Sequence, residues 1–513
     1  MELVYRQVTC QKAVNGDNFS QGVQDFNFSI GGKTAWIPNR TYFRIGMTLK
    51  GRADAAPTFS DQVAFADSVC GNLYNNVYFR AGGQDVSSIV NYVPQAQAVK
   101  NRLDKSGSWL KSIGKDAFFL DPDYNSRVAR TSAIPSVADG TLQYTKLGTA
   151  AHQHDYRVQI APPLSGDAAN DPLVGGGVVT GTNTQFTTAG VVVGSELLIN
   201  GTIYTVTVAT SDTQLTVTPA PSVAVDTGAN GSAMLVTREN KGDGRNVVYA
   251  MWVPPIGIFD ESSPLGSRSG DYRLQLNPNA YYKTSAVEMK HKNGVAGTSA
   301  TSDFNITVES VELYVATCKQ DVPATGVETL HLMETQIQSK TLSNRTGDNL
   351  LDFTIPPSTK AISVFVQSSD SGSNVQIPPS MFKVKDGTDM NLSSIQIAYA
   401  NQVKPSTRWT SEFNASTNKM TQRYLDTQLE CGKFWSEGGT ESFADFVKRG
   451  PLYHYNWLRD AEDRSTQVQV NMAFSGATGI EDKAKLFVVA HYTRTVEISV
   501  QNGFITEVKS LSV

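Results

Sequence analysis

The feature that most constrains this chain is strict two-residue alternation of apolar and polar side chains, recurring in segment after segment. In "YFRIGMTLKG", Phe43, Ile45, Met47 and Leu49 fall on one face, with Arg44, Thr48 and Lys50 on the other. "DYRLQLNPN" alternates through Tyr272, Leu274 and Leu276, and "NNVYFRAGGQDVSSIV" reads as a strand, a Gly82-Gly83 turn and a returning strand. Successive side chains of a strand point to opposite faces, so this pattern predicts strands with one face in a core. "DFNITVESVELYVATC" alternates through Phe304, Ile306 and Val308, then changes parity to Val311, Leu313 and Val315. One extra residue does that, which predicts a bulge near Glu309-Ser310. The later chain repeats the style at Leu351/Phe353/Ile355, Ile362/Val364/Val366, Ile395/Ile397/Tyr399 and Val468/Val470/Met472/Phe474.

Helical spacing is scarce. Pro94, placed at the first helical position, opens "PQAQAVKNRLDKSG", which Gly107 is expected to close. "NKMTQRYLDTQLECG" puts Met420, Tyr424, Thr427 and Cys431 on one stripe with Gly432 as a stop, and "TESFADFVKRG" groups Phe443, Phe446 and Val447 before Gly450.

Read in order, the two halves share a sequence of elements: a strand pair, a short helix, a segment rich in aromatic residues and Pro, then long closing strands. "KQDVPATGVETLH" interrupts the strands near Gln320–Leu330, dividing the chain into residues 1–320 and 321–513. Each half resolves into about eight strands, and eight antiparallel strands close a core as two packed four-stranded sheets, the jelly roll. A jelly roll needs roughly 180 residues, so the first half is too long. The excess holds Leu173–Thr237, rich in alternating Thr and Val, with glycines at its entrance and only Glu196, Asp212 and Asp226 as charges. It reads as a small β module inserted in a surface loop, where added length costs little. The predicted fold is all-β: two tandem eight-stranded jelly rolls with short helices and one inserted β module.

Composition narrows the function. With 44 basic and 48 acidic residues the net charge is −4, which argues against a polybasic nucleic-acid binder. Cys10, Cys70, Cys318 and Cys431 are too scattered for a metal knuckle or a redox pair; they suit a reducing compartment and leave one long-range disulfide open. "MELVYRQVTCQK" has no apolar signal core, and Val247–Phe259 is too short and too rich in proline to span a bilayer, which predicts a soluble protein.

No segment completes a catalytic or metal-binding pattern. Asp121–Asn125 ("DPDYN") begins like a calcium loop, yet Ser126 and Ser132 stand where Gly and a bidentate Glu belong. His152 and His154 share one side of an extended segment without a third ligand. Asn240–Asn246 lacks a phosphate-loop frame and reads as a hairpin turn, and Glu462-Asp463 as a solvated acidic pair. The sequons at Asn200–Thr202 and Asn305–Thr307 are what chance gives in an Asn- and Thr-rich chain. Trp435, Tyr453, Tyr455 and Trp457 suit core packing better than sugar stacking. The expectation is no catalytic residue, no metal site and no cofactor.

The ordering "VCGNLYNNVYFRAGGQDV", "MWVPPIGIFDESSPLGSRSGDYRLQLNPN" and "VESVELYVATC" resembles the double jelly-roll major capsid proteins of virophages, polinton-like viruses, adenoviruses, tailless membrane-containing phages and large DNA viruses. The resemblance covers nearly the whole chain outside the insertion and rests on element order and length. It implies a homotrimer of pseudo-hexagonal outline tiling an icosahedral shell around double-stranded DNA. Neighbouring capsomers, penton proteins and minor capsid or cement proteins are its partners, with no sequence-specific nucleic-acid contact. An internal membrane or a host receptor is left open. It implies a place in the virion after synthesis in the host cytoplasm, with the insertion as an outward tower in the loop after the fourth strand of the first roll. The insertion itself is similar to small β modules of phage virion and tail proteins, through Gly181, Thr182, Thr184, Phe186, Gly194, Ile199, Gly201, Tyr204, Val206, Ser211–Thr213 and Leu215. The competing reading is a carbohydrate-binding or carbohydrate-cleaving multi-module β protein, which would need two carboxylates about 5–10 Å apart in a cleft.

Overall fold

The structure is a computed structural model. It describes residues 3–12, 14, 18–31, 33–50, 63–114, 117–118, 143–146, 156–159, 173–175, 177–180, 193–194, 196–199, 202–211, 213–219, 225–226, 233–236, 248–266, 268–289, 305–320, 325–369, 371, 378–382, 384, 392–410, 421–433, 443, 446, 450–457, 465–475 and 480–511.

The alternating segments form strands whose apolar parity faces inward. In the first half these are β1 (Leu3–Thr9), β2 (Gln24–Ile30), β3 (Tyr42–Lys50), β4 (Tyr74–Ala81), β5 (Gln84–Ile89), β6 (Val248–Trp252), β7 (Arg268–Pro278) and β8 (Asn305–Lys319). They pair antiparallel in two sheets, β1-β8-β3-β6 and β2-β7-β4-β5. Phe43, Ile45 and Met47 of β3 and Leu274 and Leu276 of β7 are fully buried between them. Aromatic edges fill the middle: Phe26 meets Phe43 at 5.1 Å and Tyr74 stacks on Trp252 at 4.9 Å. The indole of Trp36 donates to Thr41 Oγ1 at 2.8 Å, so its one polar atom is satisfied in the core. The parity change in β8 is a register shift between Val308 and Ser310 against β3, where the sequence put it.

The second half repeats the plan with β9 (Gly326–Thr341), β10 (Gly347–Thr354), β11 (Thr359–Gln367), β12 (Leu392–Tyr399), β13 (Gln402–Thr410), β14 (Tyr453–Asn456), β15 (Gln467–Phe474) and β16 (Lys485–Gln501). Its sheets run β9-β16-β11-β14 and β10-β15-β12-β13, and a last strand, β17 (Phe504–Leu511), pairs with β16. Adding eight to each label of the first roll reproduces the order of the second. The two rolls are one topology used twice, and the all-β expectation holds.

Several details differ from the sequence reading. Helix α1 (Val93–Asp104) has Pro94 in its first turn but stops at Asp104. Gly107 does not close it; Ser106 caps a further short helix there, its Oγ accepting from the Trp109 amide at 3.2 Å. Helix α2 (Thr421–Glu430) buries Thr427 and packs Tyr424 against the second roll's core as expected, but it buries Arg423 and Gln428 as well, and Gly432 follows it at φ +70°. Of the helix expected over "TESFADFVKRG", Phe443 and Phe446 lie among the described residues flanking Gly450, with Phe446 fully buried; Met420 and Val447 lie outside them. Ile362, Val364 and Val366 face the core as expected, yet Ser363, Phe365 and Gln367 on the other face of β11 are buried too, because another element covers that face.

The insertion lies between β5 and β6, one strand later than expected. Its sheet also reaches further. Nine strands run in the order Val225–Asp226, Leu173–Gly175, Val178–Thr180, Gln214–Thr218, Thr202–Ser211, Glu196–Ile199, Ala233–Val236, Tyr156–Gln159 and Gln143–Lys146. The last two precede Leu173, so the expected module Leu173–Thr237 is part of a larger sheet, joined through Leu235↔Val158 and Met234↔Gln159. Four-residue polar strands such as "QYTK" carry too few alternations to stand out in sequence. Val179, Tyr204, Val206, Leu215 and Val217 of this sheet are buried.

Candidate functional site

Of the residues weighed for chemistry, Asp121–Asn125, His152, His154, Asn240–Asn246, Trp435, Glu462-Asp463 and Asn200 lie outside the described residues. Tyr453, Tyr455 and Trp457 sit in the core of the second roll, where burial pushes the Tyr455 hydroxyl up to about 12. They offer no stacking platform. Asn305 opens β8. All four cysteines are free, so the disulfide left open by the sequence is not formed. Among the described residues no group of three or more His, Cys, Asp or Glu could hold a metal ion, and no helix is long and apolar enough to cross a membrane.

The structure instead concentrates its specific contacts where the two rolls meet. Helix α1, though part of the first roll, lies on the outer face of the second roll's β9-β16-β11-β14 sheet. Ala98 and Val99 pack among Phe365, Phe382, Leu452, Phe487 and Val489. Phe365 stacks on Phe382 at 3.7 Å and on Phe487 at 4.8 Å, and the Arg102 guanidinium lies 5.0 Å over Phe382. Burying each such ring stabilises by about 1.5–3 kcal/mol. Hydrogen bonds also cross the junction: Gln95 Nε2 donates to Gln367 Oε1 (3.0 Å), Asn72 Nδ2 to Ser380 Oγ (3.1 Å), and Tyr92 and Ser339 share a hydroxyl contact (3.0 Å), while the Asn72 Oδ1 and Gln95 Oε1 atoms are buried without a partner. Each such group left unmatched costs about 1–3 kcal/mol. Further along, Leu330 and Leu332 of β9 and Val496, Ile498 and Val500 of β16 join the core of the first roll.

Two ionisable clusters lie in or beside this junction. Glu334 of β9 is buried against Ser87 of β5 and Gly257 of a 3-10 turn (Gly257–Asp260). Burial pushes its carboxyl up to about 7, against the pull of the Ser87 hydroxyl, Arg494, the Gly257 amide and Lys100. Both carboxylate oxygens are buried without a full hydrogen bond. On the outer face of the second sheet, Ser363 Oγ lies 2.8 Å from His454 Nδ1 and 2.9 Å from His491 Nε2. Burial pushes these imidazoles down to about 4 and about 3, so both are neutral and the hydroxyl donates to one while accepting from the other. Neither cluster was visible in sequence, since a lone Glu or His in an alternating strand looks like any polar position.

The first roll's equivalent face is only partly covered among the described residues: Ala316 and Cys318 of β8 are buried with Ala35 and Ile37, whereas Tyr42 and Tyr314 keep part of their surface exposed. On the outer side of β1-β8-β3-β6, Tyr42 stacks on Tyr314 at 5.3 Å and Tyr5 meets Tyr42 at 5.8 Å. Arg44 lies 5.2 Å from the Tyr249 ring and 5.1 Å from the Tyr314 ring, and donates to Glu312 Oε2 at 2.8 Å. Tyr249 is 53% and Tyr5 46% exposed.

The solved structures bear on this arrangement. A chain from the Sputnik virophage superposes with a TM-score of 0.55 at 13% identity, covering 100% of this chain and 88% of that one. This is the double jelly-roll fold. The major capsid protein of mavirus (TM-score 0.46, 11% identity, 99% and 90% covered) and that of Faustovirus (0.44, 8%, 98% and 90%) are also similar. No protein-family model and no curated protein sequence matches the chain.

Proposed function

We propose that this double jelly-roll chain is a viral major capsid protein that self-assembles as pseudo-hexagonal homotrimers into an icosahedral shell around a double-stranded DNA genome. The observation that carries the reading is the repetition of one strand order in two rolls joined through a buried interface; in this reading residues 1–320 and 321–513 are the two units. Such a body presents two similar blocks to its neighbours, which suits tiling, and assembly rather than catalysis is its work. Its partners are further copies of itself, penton proteins and minor capsid or cement proteins, and its place is the virion. The insertion, leaving between β5 and β6, serves as an outward decoration open to neighbouring towers or a host receptor.

Sedimentation velocity and negative-stain microscopy of the recombinant chain test the reading. Trimers with pseudo-hexagonal projections are expected. A strict monomer at micromolar concentration and moderate salt would overturn it.

A further inference from the structure

The strand order assigns each helix an equivalent. Helix α1 lies between β5 and β6, and α2 lies between β13 and β14, eight labels on in both cases. Each helix holds its own roll in a comparable way. Gln97 Oε1 of α1 accepts from the Trp252 indole of β6 at 3.0 Å; Thr427 of α2 donates to Leu452 O at 3.2 Å, and Glu430 accepts from the Asn456 amide of β14 at 2.9 Å.

Their outer sides differ. That of α1 is covered, because Ala98 and Val99 press on Phe365 of β11 and Phe487 of β16. That of α2 carries Leu425 and Leu429, one turn apart, 38% and 45% exposed, with Asp426 between them. The sheet that α1 covers has an equivalent as well. Strands β11 and β16 correspond to β3 and β8, whose outer residues are Tyr42 and Tyr314, flanked by Arg44 and by Tyr249 of β6. Among the described residues of one chain, then, the outer side of α2 meets no sheet and the tyrosine patch meets no helix.

We propose that α2 of one copy docks through Leu425 and Leu429 on the Tyr42/Tyr249/Tyr314 face of the next copy, repeating between chains the contact that α1 makes within a chain. The inference rests on the trimer proposed above and names its interface. The contact is head to tail, and a head-to-tail contact closes into a ring when its rotation divides a full turn. Tyrosine and arginine are the side chains that concentrate at the centres of protein interfaces, and they tolerate water before assembly. Asp426 is opposite in sign to Arg44. The docking surface also continues the interface already formed, since Lys433, just beyond α2, donates to Asp104 O at the end of α1 at 3.2 Å.

The test uses the full chain. Sedimentation velocity of the wild type, of Leu425→Glu/Leu429→Glu, and of Leu429→Cys/Tyr249→Cys with its two single variants separates the cases. The expected result is a wild-type trimer, a monomeric Leu425→Glu/Leu429→Glu variant with an unchanged melting curve, and oxidation of the double-cysteine variant to covalent trimers that neither single variant gives. A wild-type trimer with an unaffected glutamate variant, or with no cross-link beyond the single-cysteine controls, overturns the docking and leaves the trimer standing. A wild-type monomer overturns both. The cross-link is read independently of whether the glutamate variant folds.

Discussion

Gly257 packs directly on the carboxyl of Glu334: a methyl group at its α-carbon would lie 2.9 Å from Glu334 Oε1 and 2.7 Å from the Met333 carbonyl. The first of these residues belongs to the first roll and the second to the second, so this glycine, like Gly82 against Ile505, is a point where the two rolls approach too closely for a larger residue. Gly257→Ala forces backbone or carboxylate to move, and overpacking of this kind costs about 1–3 kcal/mol. Urea denaturation of the variant should show that loss without a change in the slope of the transition.

The same carboxyl makes the junction sensitive to pH. Its ionisation lies near 4.5 when the chain is unfolded and about 7 when folded. A group raised on folding contributes stability that is complete below its unfolded value and is lost as pH rises through the folded one. The groups around it are Ser87, Arg494, Tyr492 and Lys100, the last paired with Asp260 and Asp104. A displacement of this size corresponds to about 3 kcal/mol. His454, which is buried, and His491, which is part-buried, act in the opposite sense: pushed below 6.5 on folding, they contribute stability above 6.5 that is lost as pH falls through about 4 and about 3 respectively. The difference between wild type and Glu334→Gln isolates the carboxyl. Measured by denaturation from pH 5 to 8, wild type should lose stability relative to the variant as pH rises; parallel profiles would remove Glu334 as the cause.

Phe365 offers a test of the junction without charge. It stands on the outer face of β11, away from the second roll's own core, between Phe382, Phe487 and α1. Phe365→Ala should cost about 3–5 kcal/mol, as for a buried ring in a packed core. Because the cavity opens beneath α1, hydrogen exchange should quicken in Val93–Asp104 more than in β12 or β15.

How far the sequence reached depends on what signals through side-chain parity. The strands around Phe43, Leu274 and Val470 were legible because one face of each is apolar and the other polar, and the β8 bulge was legible because parity itself changed. Placing Ile362, Val364 and Val366 on the core face leaves Phe365 on the other, but whether water or a helix covers that face is a long-range fact that no local pattern carries. Glu334, Ser363, His454 and His491 were silent for the same reason: their meaning comes from residues on other strands, at separations of 91 and 128 residues for the two imidazoles that Ser363 bridges. The unpartnered side of α2 was masked by its composition, since Arg423 is buried and two leucines are exposed, the reverse of the usual amphipathic rule.

The insertion gives the last prediction, and its boundary decides the outcome. Excising Leu173–Thr237, as the sequence alone suggests, removes the strand Ala233–Val236 that pairs with Tyr156–Gln159. The remaining pair, Gln143–Lys146 with Tyr156–Gln159, then shows an unpaired edge, and such edges recruit other chains. Replacing 143–236 instead removes all nine strands together and leaves the host only a loop to close. The nine-stranded sheet contains none of the strands of either roll, so their cores are left intact. The longer replacement, with a Gly/Ser linker, should therefore fold and elute in the same oligomeric state as wild type, while the shorter one aggregates. Size-exclusion chromatography and thermal melts of the two variants read this directly. If the longer replacement is insoluble while wild type is not, the inserted sheet supports the first roll rather than decorating it.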